Sequence, residues 1–173
     1  MELKDFIKLG EQQPELRFMV IGGWAVAAHG HTRSTYDVDF MVSKADRDAW
    51  RKRVDAAGLA CFSEQEQFAQ FTQFDGDGFD LMFAAPETFE KMWPLSVEYD
   101  FNGTVARVPC LDHMIALKLH AIKQALPHRT SQDMEDVELM IRRNDVDLKS
   151  NRYEELFLKY GTREIYETYL RIL

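Results

Sequence analysis

Cysteine is scarce in this sequence. Cys61 and Cys110 are the only two in 173 residues, they stand in different segments, and no C-x-x-C spacing joins them. That pattern argues against a disulfide-stapled scaffold and for a reducing compartment. No apolar run approaches the roughly 20 residues that a membrane span requires. The start, MELKDFIKLGEQQPELRF, is charged throughout and lacks a signal core, so a cytoplasmic protein with no membrane partner is expected. Excess positive charge is missing too. A net charge of -8 disfavours a general nucleic-acid coat, because duplex affinity rests on neutralising phosphates. The chain has no GxxxxGK[ST] phosphate loop, no GxSxG elbow and no HExxH. DGDGFD fails as a calcium loop, since its twelfth position is Pro86 rather than a ligand glutamate. His29 and His31 have no further His or Cys at zinc spacing and read as a polar helix end.

What is present is a globular composition, 46% hydrophobic and 29% charged, in a chain long enough to bury a core unaided. Residues 2–13 read as an amphipathic helix, and RFMVI (17–21) as a buried strand halted by Gly22-Gly23. WAVAAHG follows as a helix closed by Gly30, and YDVDFMV (36–42) as a strand. Ser43 and Asp46 suggest a capping box opening a helix over 44–57. FAQFTQF (68–74) and FDLMFA (79–84) pair as a hairpin across 75–78, with the aromatics Phe68, Phe71 and Phe74 assigned to the core. Pro86 suits the first position of a helix, and 96–108 reads as a second hairpin around Asn102-Gly103. After Pro109 every segment reads as helix. The expected architecture is therefore a mixed α/β half, 1–108, followed by a C-terminal helical subdomain, 109–173.

The chemistry concentrates in three aspartates. On a strand, Asp37 and Asp39 share a face roughly 7 Å apart, while Val38 and Phe40 face a core. Two carboxylates side by side repel and lose solvation unless a cation compensates them, and a hard divalent ion does so with oxygen ligands. Asp80, embedded in FDLMF, offers a third carboxylate. Upstream, Gly22-Gly23 ends a strand and opens a helix, where bare backbone can approach an anion closely. Lys118 lies on or beside the apolar stripe of the helix 111–126, where it either snorkels to solvent or reaches a phosphate. Lys123, His128 and Arg129 are candidates for added positive potential or for a solvated helix end. Asp133 and Asp136 are expected in the first turn of the next helix, as complements to its dipole.

GGWAVAAHGHTRSTYDVDF followed by FDLMF resembles the nucleotidyltransferase superfamily, with its polymerase-beta-like fold. The form is similar to a bacterial branch containing abortive-infection toxin nucleotidyltransferases and small lincosamide or aminoglycoside nucleotidyltransferases. The match covers residues 17–84 and extends loosely into the helical half. It implies an α/β (α+β) fold: a mixed β-sheet with flanking helices, then the helical subdomain. It also implies that Gly22 and Gly23 cradle a nucleoside triphosphate, that Asp37 and Asp39 are paired metal ligands, and that Asp80 is the third ligand and helps deprotonate the acceptor. Arg33 and the helical Lys118 would serve the phosphates. Trp24 stands where many members carry a phosphate-binding serine, and Gln132-Asp133 where the toxin branch often has Lys-Asp.

The function implied is Mg²⁺-dependent transfer of a nucleoside monophosphate from a nucleoside triphosphate such as ATP, with pyrophosphate release and Mn²⁺ as a substitute metal. Two ions are expected. The acceptor hydroxyl belongs to a small molecule, a tRNA or a protein. The alternative is a catalytically idle module that binds a nucleotide or a partner protein, as in a toxin–antitoxin pair. A metal-assisted phosphoesterase is a weaker third option.

Overall fold

The computed structural model describes residues 2–72, 78–124 and 127–173, with the side chains of residues 127–129 excluded. Phe74, most of the 75–78 turn and the side chains of His128 and Arg129 therefore lie outside the described residues. The fold is α/β, and the chain divides into two compact units, Met1–Ala25 with Arg33–Cys110 and Val26–Thr32 with Leu111–Leu173.

The first unit is built on a five-stranded mixed sheet. Its strands are β1 (Phe18–Val20), β2 (Val38–Ser43), β3 (Ala60–Glu64), β4 (Phe68–Thr72) and β5 (Gly78–Ala84), in the order β1-β2-β5-β4-β3. β2 and β5 run parallel at its centre, a pairing that needs a crossover. Helix α3 (Arg47–Ala56) and the β3–β4 hairpin supply it. Burial alternates along β5 from Gly78 to Phe83, and along β4, which marks one face as core. That face holds Val38, Phe40, Val42, Phe71, Phe79 and Leu81, all buried. Phe6 of α1 (Leu3–Glu11) stacks on Phe79 at 4.5 Å, and Trp50 of α3 meets Phe40 edge-on at 6.1 Å. Each such ring, fully buried, contributes about 1.5–3 kcal/mol relative to exposure.

The hairpin expected between residues 68 and 84 is present as β4 and β5. Ser43 caps the next segment by accepting from the Ala45 N–H at 3.3 Å, but that segment starts as a 3-10 turn over Lys44–Asp46 before α3. Pro86 opens α4 (Pro86–Met92), as expected of a residue with no N–H to lose. The second hairpin pairs β6 (Val97–Asp100) with β7 (Val105–Val108). Asn102 and Gly103 turn it with φ of 55° and 91°, the two positive values that a type I′ turn requires.

The second unit contains α5 (Leu111–Lys123), α6 (Pro127–Arg143), α7 (Asn151–Tyr160) and α8 (Arg163–Ile172). Helix α2 (Gly22–Ala28) begins in the first unit and ends in the second. Phe157 of α7 packs against Tyr166 and Tyr169 of α8 at 5.6 and 5.4 Å. Both tyrosines place their hydroxyls on carbonyls, of Leu148 and Met134 respectively, each at 2.8 Å. Burial, aided by the charges of Glu138, Asp133 and Asp136, holds the Tyr169 phenol far above its usual range. The Asn144 amide donates to the His29 carbonyl at 2.9 Å, which ties 26–32 to the end of α6. Among the described residues, no helix is long and apolar enough to cross a membrane.

Candidate active site

The sheet face opposite the aromatic core carries a polar row. In the parallel β2–β5 register Asp39 lies opposite Asp80, and in the antiparallel β4–β5 register Gln70 lies opposite Asp80. Paired positions share a face, so Asp39, Asp80 and Gln70 line up across three neighbouring strands. All three are half-buried. The Gln70 amide donates to Asp80 Oδ2 at 3.0 Å.

Glycine shapes both sides of the Asp-x-Asp pair. The Ile21 N–H donates to the Asp39 carbonyl at 2.9 Å, so the chain leaves β1 and enters α2 directly beside Asp39. Gly22 has a φ of +63°, and a Cβ there would collide with the Asp39 carboxylate. Only glycine meets both demands without strain. On the other side, a Cβ on Gly78 would collide with Asp37 Oδ1. The two carboxylates therefore lodge against glycines on opposite flanks of β2.

Asp37 departs from the sequence expectation in one respect. Strand β2 begins at Val38, so Asp37 is an exposed residue just ahead of the strand. At the turn into α2, a Cβ on Gly23 would stand 2.7 Å from Thr35 Oγ1 and 3.1 Å from Arg33 Nη1. Arg33 thus lies beside Gly23. Trp24 follows, its ring edge-on to Phe101 at 6.3 Å and its indole N–H buried without a partner.

Lys118 belongs to the second unit. It is 6% exposed, with Nζ 2.6 Å from Asp133 Oδ1 and 2.8 Å from Asp136 Oδ2. His31 Nε2 stands 3.8 Å from Asp136 Oδ1, while Asp133 Oδ2 is buried with no partner. The first-turn reading of Asp133 and Asp136 is corrected. Helix α6 starts at Pro127, which moves both acids into its interior, where they are 2% and 0% exposed. Their work is to hold a buried ammonium rather than to complement a dipole. Lys123 is exposed near the end of α5.

Among the described residues, no three His, Cys, Asp or Glu side chains converge tightly enough to hold a metal ion as they stand. The donor chemistry nevertheless fits a hard cation. Asp37, Asp39 and Asp80 offer oxygen only, on adjoining positions, with glycines giving two of the carboxylates room. Gln70 and Gly78 are the residues that sequence reading did not assign to the site. Gln70 occupies a polar-face position in FAQFT, a signal visible only once its strand partner is known.

The architecture is that of the nucleotidyltransferase fold. A solution structure of the antibiotic-resistance factor ANT(2'')-Ia superposes with a TM-score of 0.69 at 19% identity, covering 98% of this chain and 94% of that one. A crystal structure of ANT(2'')-Ia in complex with adenylyl-2''-tobramycin gives 0.67 at 18% identity, over 91% and 94%. The lincomycin-bound lincosamide antibiotic adenylyltransferase LnuA gives 0.58 at 14% identity, over 81% and 98%. No family model matches the chain, and no curated protein matches it in sequence.

Proposed function

We propose that this protein is a metal-dependent nucleotidyltransferase. It transfers a nucleoside monophosphate from a nucleoside triphosphate to an acceptor hydroxyl and releases pyrophosphate. The observation that carries this reading is the placement of Asp39 opposite Asp80 on the polar face, with Gly22 against Asp39 at the start of α2.

In this reading Gly22, Gly23 and Arg33 receive the triphosphate, because helix N-terminal N–H groups and a guanidinium both favour phosphate oxygens. Asp37, Asp39 and Asp80 hold Mg²⁺, or Mn²⁺ in its place, which supplies charge neutralisation at the phosphates. Asp80 faces the acceptor and takes its hydroxyl proton. The acceptor oxygen bonds to the α-phosphorus as the bond to pyrophosphate breaks. Catalysis is then mostly orientation and electrostatics. Lys118 is given no phosphate role in this reading, since its ammonium already has two carboxylate partners within the second unit. The acceptor is a small molecule. Likeness over 98% and 81% of this chain to two antibiotic-modifying proteins supports this over tRNA or protein, and a net charge of -8 weighs against tRNA.

The test incubates the protein with each labelled nucleoside triphosphate, Mg²⁺ and a panel of polyhydroxylated small molecules, tRNA and cell lysate. Pyrophosphate release that vanishes with EDTA and in Asp39→Asn is the expected result. Metal-dependent nucleotide binding without turnover on any acceptor would instead establish an idle module. Release of inorganic phosphate or free monophosphate would establish a phosphoesterase.

A further inference from the structure

We infer that Gln70 is a positioning residue for Asp80, fixing that carboxylate for its role in the proposed transfer; the inference rests on that reading. Gln70 sits directly opposite Asp80 on β4, and its amide donates to Asp80 Oδ2 at 3.0 Å. Its neighbours Ala69 and Phe71 are fully buried on the other face, so the strand carrying the amide is anchored in the core. The hydrogen bond ties one carboxylate oxygen to β4, on the side away from Asp39, and so sets the plane of the group.

The chemical choice is informative. A lysine or arginine opposite Asp80 would bind it more strongly but cancel the negative charge that a metal or an acceptor proton needs. A neutral amide orients the carboxylate and leaves that charge in place, as outer partners of metal ligands do. Asp37 and Asp39 lie against glycine backbone that gives them space. Asp80 thus has a side-chain donor on the neighbouring strand, the Gln70 amide.

The experiment compares wild type, Gln70→Met, Asp80→Asn and the double variant in three measurements: Mn²⁺ binding by electron paramagnetic resonance, the thermal midpoint of the metal-free protein, and steady-state pyrophosphate release. Methionine keeps the length and bulk of glutamine but removes the donor. Gln70→Met is expected to leave the midpoint in place, weaken Mn²⁺ binding and lower kcat about 10–100-fold. The loss should lie mainly in kcat, with KM for the nucleotide at saturating metal changing by less than about twofold, because Gly22, Gly23 and Arg33 still receive the triphosphate. In the Asp80→Asn background Gln70→Met should add nothing, since its effect runs through Asp80. Wild-type kcat and Mn²⁺ affinity in Gln70→Met overturn the inference. An equal further loss in the Asp80→Asn background, or a fall in the midpoint with unchanged kcat per folded molecule, overturns it as well. If wild type transfers no nucleotide but binds Mn²⁺, the transferase reading fails and the Mn²⁺ comparison alone decides the role of Gln70. A wild type that binds no Mn²⁺ overturns both.

Discussion

Gly22 and Gly78 make similar contacts with neighbouring carboxylates yet stand in different backbone conformations, and the difference is measurable. Gly22→Ala adds a collision with Asp39 and places a Cβ at a φ of +63°. It should lose about 1–2 kcal/mol in urea denaturation, together with metal-dependent nucleotide binding. Gly78→Ala collides with Asp37 but carries no such backbone penalty. Its denaturation midpoint should stay close to wild type while nucleotide binding weakens. Asp39→Asn should abolish metal-dependent nucleotide binding with stability kept or raised, because one of two neighbouring negative charges is removed; unfolding of that variant would assign Asp39 a structural task. Asp39 and Asp80 are legible in the sequence because each breaks an apolar strand with a charge, and Asp37 is legible from its place two residues ahead of Asp39. Gln70 and the contact of Gly78 with Asp37 are not, because both depend on which strand lies alongside, and no local pattern encodes that.

Between α5 and α6 the decisive contact is the buried Lys118 ammonium with Asp133 and Asp136. Lys118→Met leaves two carboxylates in a dry interior and should cost about 3–5 kcal/mol. Replacing both acids with asparagine in the same protein should recover much of that loss in urea denaturation. No recovery would mean that the lysine stem, rather than its charge, holds the helices. The sequence gives each helix clearly but misplaces the start of α6. The polar run from Ser131 resembles a cap, whereas Pro127 occupies the first helical position. That shift of one turn hides a buried ion cluster inside an apparent surface pattern.

Helix α5 also holds His113, whose Nδ1 is buried and unpartnered. Burial pushes its pKa below the usual 6.5, with Asp112 opposing the shift. Protonation therefore favours the unfolded chain. Stability is complete above the unfolded value and falls as the pH drops through it towards the folded one. His113→Asn should flatten that decline, checked by urea denaturation at about pH 7.5 and pH 5.

At the scale of the whole molecule, the unit boundary does not follow a single cut in the chain. The composition changes once, after Pro109, but 26–32 groups with 111–173, and nothing in WAVAAHGHT announces it. Long-range grouping of a short apolar stretch is settled by packing, here by the fully buried Val26 and by the bond from Asn144 to the His29 carbonyl. Residues 1–110 expressed alone would strip 26–32 of these partners. That fragment should show no cooperative thermal transition by circular dichroism, whereas the full chain should.

The parallel pairing of β2 with β5 also has a kinetic consequence. The β3–β4 and β4–β5 ladders join strands adjacent in sequence, whereas Asp39 meets Asp80 only after a loop spanning residues 39 to 80 has closed. Loop closure over that distance is entropically slower than hairpin zippering. Asp39 is therefore expected to join Asp80 after the β4–β5 hairpin has already placed Gln70 beside it, so this carboxylate pair meets a preformed hairpin rather than guiding its construction.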